Sequence, residues 1–85
     1  MSAEIADEAP SASEVTDYDR AHLTLYLRLL DAEAAAAAWE EAARILLAID
    51  PAAALERARR RHATHLARAH WMRDSGYLEL LKKGR

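Results

Sequence analysis

The chain has 85 residues, a formal net charge of −2 and a hydrophobic fraction of 52%, much of which is alanine. This length provides for one small domain, in which the larger apolar side chains are few enough that stability should be modest. The absence of cysteine excludes disulfides and thiolate chemistry, and no apolar run approaches the roughly 18–20 residues that span a bilayer, so we expect a soluble, cytoplasmic protein.

Charge is distributed unevenly along the chain. Residues 1–20 hold six acidic residues and one arginine, and residues 21–50 hold five acidic residues and two arginines. Residues 51–85, in contrast, hold nine basic and three acidic residues. The basic last part is suited to a polyanion, whereas the acidic first fifty residues would repel one.

The first sixteen residues, MSAEIADEAPSASEVT, are rich in Ala, Glu and Ser and show no apolar periodicity. This composition predicts a disordered acidic N-terminal tail over residues 1–16. The tail lacks the basic start and the apolar stretch of a secretory signal. Residues 17–85 are predicted to form a single helix-turn-helix-like domain.

The first helix is predicted from DYDRAHLTLYLRLLDAEA, where Asp17 or Asp19 can accept hydrogen bonds from the free N–H groups of the first turn. Its helical apolar stripe consists of Leu23, Leu27 and Leu30. Leu25 and Leu29 fall outside this stripe, so they are candidates either for central packing or for binding a partner. The alanine run 34–38 either continues the helix or forms a joint.

The second helix is predicted from WEEAARILLAI, whose first turn is acidic, as the helix dipole favours. The acidic residues around the joint between the first two helices are Asp31, Glu33, Glu40 and Glu41. They are either a solvated joint or a surface that pairs with arginines of another protein. Together with Leu25 and Leu29 they are our partner-binding candidates.

The third helix is predicted within DPAAALERARRRHATHLARAHWMRD. Asp50 and Pro51 form a start signal, and residues Pro51–Ala54 are either helix or a longer turn. Gly76 is expected to end the helix in a left-handed conformation, and YLELLKK predicts a last short helix. The fold class is therefore all-α, a small bundle of about four helices, helix-turn-helix-like with an extended turn before the third helix.

The third helix is predicted to be amphipathic. Its apolar stripe consists of Leu55, Ala58, His62, Leu66 and Ala69. The opposite, basic face consists of Arg57, Arg60, Arg61, Thr64, Arg68 and Trp71. These side chains could bind DNA phosphates or guanine edges, or a partner protein, or simply face water. The basic face is thus necessary for DNA binding but not sufficient evidence of it.

Residues for catalysis are scarce. Two glycines cannot form a phosphate-binding loop, and three of the four serines lie in the predicted tail. His62 and His65 are spaced to share a metal, but no cysteine or nearby carboxylate supports this, so a packed role is favoured; His22 and His70 are expected at the surface. We therefore predict no enzyme activity, no cofactor, no metal and no small-molecule ligand.

Four motifs occur in order over residues 17–81: YDRAHLTLYLRLLDAEA, WEEAARILLAIDP, RARRRHATHLARAHWM and GYLELL. In this order they resemble a proteobacterial domain-of-unknown-function family that is now viewed as an extended-turn helix-turn-helix. In that family the domain occurs in transcriptional activators, fused behind another domain. It also occurs alone in small antiactivators that control transfer of integrative and conjugative elements, and the chain is most similar to this stand-alone kind.

The resemblance implies an antiactivator, which keeps the surface by which the family docks a neighbouring domain and lacks affinity for DNA. It would compete for the partner domain of a conjugative-transfer activator, and a LuxR-type quorum-sensing activator is a second implied target. The acidic first half fits this role, so we expect DNA binding to be weak or absent. The alternative is a small transcription factor that reads DNA through the third helix.

Overall fold

The computed structural model describes residues 4–76, which form four α-helices and a π-helical turn. The elements in chain order are α1 (Asp17–Ala21), α2 (Leu23–Ala34), α3 (Trp39–Leu46), α4 (Leu55–Trp71) and the π-helical turn (Met72–Gly76). The all-α prediction is confirmed. The last short helix predicted from YLELLKK lies outside the described residues.

The first predicted helix is two helices, separated at His22, whose backbone leaves the helical region at φ −121° and ψ 22°. Thr16 caps α1, because its hydroxyl accepts a hydrogen bond from the backbone N–H of Asp19 at 3.2 Å. The Asp19 carboxylate accepts one from the backbone N–H of Thr16 at 2.8 Å. This reciprocal capping box satisfies two N–H groups at the start of α1, and it gives Asp19 a place in the first turn rather than at the cap.

Helix α2 ends within the alanine run. The backbone N–H of Ala36 donates to the carbonyl of Glu33, and that of Ala37 donates to the carbonyl of Ala32, each at 3.0 Å. This pair of bonds is a Schellman motif, which usually places glycine in the left-handed position. Here that position holds Ala36, at φ 57°. The run therefore forms a joint and does not continue the helix.

The connection between α3 and α4 is long, covering residues 47–54. Asp50 organises it, because its carboxylate accepts from the N–H of Ala52 and its carbonyl accepts from those of Ala53 and Ala54, all at 3.0 Å. The alternative left open for Pro51–Ala54 is thus decided in favour of a turn, and α4 begins at Leu55. The extended turn before the long basic helix is present as predicted.

Helix α4 packs against both α2 and α3. Because α2 meets two neighbours, its buried face is centred on Tyr26 and Leu29, which are 2% and 1% exposed. Leu29 is therefore a core residue, and its proposed contact with a partner is wrong. Leu27, placed on the apolar stripe by the sequence, is 63% exposed. The core at the end of α4 consists of Val15, Tyr26, Ala69 and Met72, with Leu23, Leu30 and Trp71 packed against it.

Gly76 has a role other than the predicted one. No glycine of the described range has a positive φ, so Gly76 does not end α4 in the left-handed conformation. The helix instead continues into the π-helical turn. An added Cβ at Gly76 would lie 2.6 Å from Cζ3 of Trp71 and 2.7 Å from Sδ of Met72. Close packing under the Trp71 ring therefore requires glycine at this position.

Candidate functional site

Helix α4 turns a different side toward the protein interior than its apolar stripe predicts. Its buried residues are Ala58, Arg61, His65, Arg68 and Ala69. Leu55 is 46% exposed, and the predicted outward positions of Arg61 and Arg68 are wrong. The reason is that both arginines reach buried oxygen acceptors in good geometry, whereas the few larger apolar side chains of this alanine-rich helix offer little surface for burial.

Arg68 forms a buried ion pair with Asp19. Nε of Arg68 lies 3.0 Å from Oδ1 and Nη2 lies 2.7 Å from Oδ2, and the two side chains are 4% and 0% exposed. The hydroxyl of Tyr26 also donates to Oδ1, at 2.7 Å. Burial by itself raises the pKa of Asp19, but the bonds from Arg68, Thr16 and Tyr26 outweigh it and hold the pKa at about 2. Arg68 therefore holds the fold together and does not belong to an exposed basic face.

The chain preceding α1 lies along one flank of α4. Arg68 donates to the carbonyls of Ala12 and Glu14 at 2.7 and 2.8 Å, and its guanidinium lies 3.9 Å from the centre of the Trp71 ring. The Thr64 hydroxyl accepts a hydrogen bond from the N–H of Ala9 at 3.1 Å. The sequence predicts a disordered tail over residues 1–16, whereas residues 4–14 have no regular secondary structure but are held by contacts with α1, His22 and α4. We call residues 4–14 the N-terminal segment.

Asp7 in the N-terminal segment binds two arginines of α4. Its Oδ1 lies 2.6 Å from Nη2 of Arg61 and 3.0 Å from Nη2 of Arg57, and its Oδ2 lies 3.3 Å from Nε of Arg57. Hydrogen bonds from Arg57 and Arg61 lower the pKa of Asp7 to about 2. Arg61 also donates to the Leu47 carbonyl at 2.9 Å. It therefore ties the extended turn to both α4 and the N-terminal segment.

The histidines of α4 are structural, and His22 is not at the surface. His65 is fully buried, with Nε2 at 2.6 Å from the Tyr18 hydroxyl and Nδ1 at 2.7 Å from the Arg61 carbonyl, and burial lowers its pKa. His22 is 6% exposed, because α1 and the N-terminal segment cover it. His62 packs against Trp39, with ring centroids 5.9 Å apart. His62 and His65 thus contact separate partners.

The solvent side of α4 is formed by Glu56, Arg59, Arg60, Ala63 and Ala67, all of them exposed. The guanidinium of Arg59 lies 5.7 Å from the Trp39 ring centre, and Arg60 makes no ion pair with any residue between 4 and 76. Arg57 is exposed at the edge of this side, and Thr64 and Trp71 are half-buried beneath the N-terminal segment. Arg59 is absent from the basic face predicted from the sequence. Its helical spacing from Ala63 and Ala67, which places all three on one side of α4, was the signal that could have identified it.

The acidic candidates do not form one cluster. Asp31 and Glu41 line a shallow groove between α2 and α3, together with Ile45, which is 71% exposed. Glu33 points elsewhere and lies 2.6 Å from Nε2 of His70 on α4. Glu40 is exposed in the first turn of α3, and Leu25 on α2 is half-buried. Asp31 and Glu41 are therefore the only two of the predicted acidic set that the structure describes in one groove.

These features define a class of protein, a small all-α bundle with a helix-turn-helix-like pair: α3 and α4 are joined by an extended turn, and α4 exposes arginines beside small side chains. Over residues 2–82 the chain matches the family described as "T6SS, Transcription factor, DNA binding domain", and it belongs to that family. A comparison with curated proteins found no match. The family is one of transcription-factor domains and not a class of enzymes. None of the helices in residues 4–76 is long and apolar enough to cross a membrane.

The description of the family conflicts with the expectation that DNA binding is weak or absent. That expectation depends on the acidic first fifty residues acting as a repulsive surface. In the folded chain Asp7, Asp17 and Asp19, three of these acidic residues, each pair with an arginine, and none of the three lies on the solvent side of α4. Net charge by segment therefore describes the solvent side of α4 poorly.

Proposed function

We propose that this chain binds DNA through the solvent side of α4, with Arg59 and Arg60 contacting phosphates or base edges. The observation that carries the proposal is the combination of exposed arginines with Ala63 and Ala67 on one helical side. Small side chains allow the helix backbone to approach closely, and the major groove, about 12 Å wide, admits an α-helix. Membership of a family of DNA-binding domains supports the same proposal.

The proposal is tested by fluorescence anisotropy with a labelled duplex pool of random sequence, because backbone contacts give every sequence some affinity. Arg60→Gln is expected to weaken binding several-fold at about 50 mM salt. Arg28→Gln, which removes the same charge from an exposed position on α2, is the matched control and should bind as the wild type does. Equal losses in the two variants, or no binding by the wild type, would contradict the proposal.

A second candidate function is antiactivation, in which the chain binds a transcriptional activator and blocks it by competition between proteins. It is favoured by the α2–α3 groove, where the exposed Ile45 lies beside Asp31 and Glu41. Such a groove suits a partner that presents an apolar side chain next to basic ones. The activators concerned are those that the resemblance implies, for conjugative-element transfer or of the LuxR type.

Copurification with the amino-terminal domain of such an activator tests the second candidate, because DNA binding alone does not require it. If antiactivation is the function, Ile45→Glu abolishes copurification, whereas charge reversal of Arg60 leaves it intact. Retained copurification of Ile45→Glu excludes the groove as the docking surface. If the wild type does not copurify with the domain, antiactivation of that activator is excluded.

A further inference from the structure

An acidic side chain of the chain itself occupies the flank of α4. The carboxylate of Asp7 lies between the guanidinium groups of Arg57 and Arg61, with nitrogen–oxygen distances of 2.6–3.3 Å. Both partners lie on α4, one turn apart. Two guanidinium groups that converge on one oxyanion are the arrangement by which proteins bind a phosphate. Asp7 therefore stands where a backbone phosphate of bound DNA could be held.

The rest of the N-terminal segment is laid along the same flank. The N–H of Ala9 donates to the Thr64 hydroxyl at 3.1 Å, and residues 8–13 line an open surface pocket together with Thr64, Ala67, Arg68 and Trp71. Ala67 also belongs to the exposed side that we assign to DNA. The segment thus borders the proposed DNA-binding side along two turns of α4, and it brings acidic charge to that border.

We propose that Arg57 and Arg61 form a phosphate-binding position for the DNA backbone, that Asp7 fills this position in the free protein, and that residues 7–9 of the N-terminal segment move off α4 when DNA binds. This inference rests on the proposed function, because it specifies how the same helix is controlled. Asp7 leaves one N–H group of this pair of arginines without an acceptor. Nε of Arg61 is buried and has no hydrogen-bond partner among residues 4–76. A phosphate and the Asp7 carboxylate cannot occupy the position together, since both are anions and both need the same N–H groups.

The contact is suited to competition because it is strong enough to form and weak enough to open. The Asp7 side chain is 44% exposed, and its partners Arg57 and Arg61 are 59% and 10% exposed; ion pairs with an exposed member contribute little. The contact of Asp7 with the two arginines therefore lowers the affinity for DNA modestly and does not prevent DNA binding. Removing it should raise DNA affinity roughly three- to tenfold, in proportion to the increased fraction of molecules with α4 open.

The test compares the full-length wild type with Asp7→Ala and with Glu8→Ala, titrated with the random-sequence duplex pool. Glu8→Ala is the matched control: it removes the same charge at the next position, where the side chain is exposed and makes no ion pair within the described part of the chain. Asp7→Ala should bind three to ten times more tightly, and Glu8→Ala should bind within about twofold of the wild type. Equal gains in both variants would show a general effect of charge and overturn the phosphate position.

A second measurement follows the segment directly. Hydrogen exchange at the Ala9 amide, which is bonded to Thr64, should become faster when the duplex pool is added to the wild type. Unchanged or slower exchange in the complex would overturn the displacement.

The affinities of the wild type and of Asp7→Ala also separate this inference from the proposed function. If the wild type and Asp7→Ala bind with equal affinity, DNA binding stands and this inference fails, whereas if neither binds, the proposed function itself fails.

Discussion

Arg68 and Asp19 lie 49 positions apart and meet in the interior through two hydrogen bonds, at 3.0 and 2.7 Å. The pair connects the first turn of α1 to the last turn of α4. A buried ion pair of this kind gains little over an apolar pair of the same size, but the loss of one partner leaves an uncompensated charge. The interior of this protein is therefore set as much by polar partners as by apolar volume.

The first prediction concerns this pair. Asp19→Ala removes the carboxylate that neutralises Arg68 and should lower the free energy of unfolding by about 3–5 kcal/mol, which is enough to unfold a marginal domain of this size. Asp17→Ala removes an exposed partner of Arg20 from the same helix and should cost less than about 1 kcal/mol. Urea denaturation followed by circular dichroism measures both, and similar losses in the two variants would show that burial of the pair contributes nothing.

Acid should weaken the fold through the same carboxylate. The pKa of Asp19 is near 3.8 in the unfolded chain and about 2 in the folded one, so its contribution is complete above pH 4 and is lost as the pH falls toward 2. The expected loss is about 2 kcal/mol. Urea denaturation at several pH values between about 5 and 2 should show this decrease, and Arg68→Met should show a smaller one. A decrease of equal size in Arg68→Met would refute the assignment to Asp19.

Two alanines adopt a backbone conformation that favours glycine: Ala36 at φ 57° and Ala48 at φ 54°. Left-handed alanine is strained by about 1 kcal/mol relative to glycine, so Ala36→Gly should raise the free energy of unfolding by about 0.5–1 kcal/mol despite glycine's entropy. Ala63→Gly, in the exposed middle of α4, should lower it by about 1 kcal/mol. Thermal denaturation measures both changes in the free energy of unfolding. Changes of the same sign in the two variants would contradict this prediction.

The fold could be predicted from the sequence because its signals are local. The acidic first turn of α3 marks a helix start that tertiary packing does not override, and the Asp50-Pro51 pair marks the extended turn, after which α4 begins at Leu55. The buried side of α4 could not be predicted in the same way. On this helix the positions Arg61, His65 and Arg68 repeat at the same spacing as an apolar stripe. Their burial is favourable because each has a partner distant in sequence: the Leu47 carbonyl for Arg61, the Tyr18 hydroxyl for His65 and the Asp19 carboxylate for Arg68.

Only part of the candidate site could be predicted, because burial of arginines on α4 depends on partners distant in sequence. Arg57 and Arg60 are exposed on α4 as the sequence indicates, but Arg61 and Arg68 are not. The contacts of the N-terminal segment are made by Asp7 and by backbone groups of Ala9, Ala12 and Glu14. Composition weighs apolar burial, so it carries no signal for a segment held by polar contacts. The arginine spacing on α4 was the available clue, because Arg57 and Arg61 lie on one flank, one turn apart.

The most direct test of DNA binding by α4 is the salt dependence of affinity for the random-sequence duplex pool between about 50 and 200 mM salt. Each phosphate contact that is lost reduces the slope of log affinity against log salt by about 0.9. The account predicts binding that weakens steeply with salt in the wild type, and a slope shallower by about 2 in Arg59→Gln/Arg60→Gln. Identical slopes and affinities in the two proteins would contradict it.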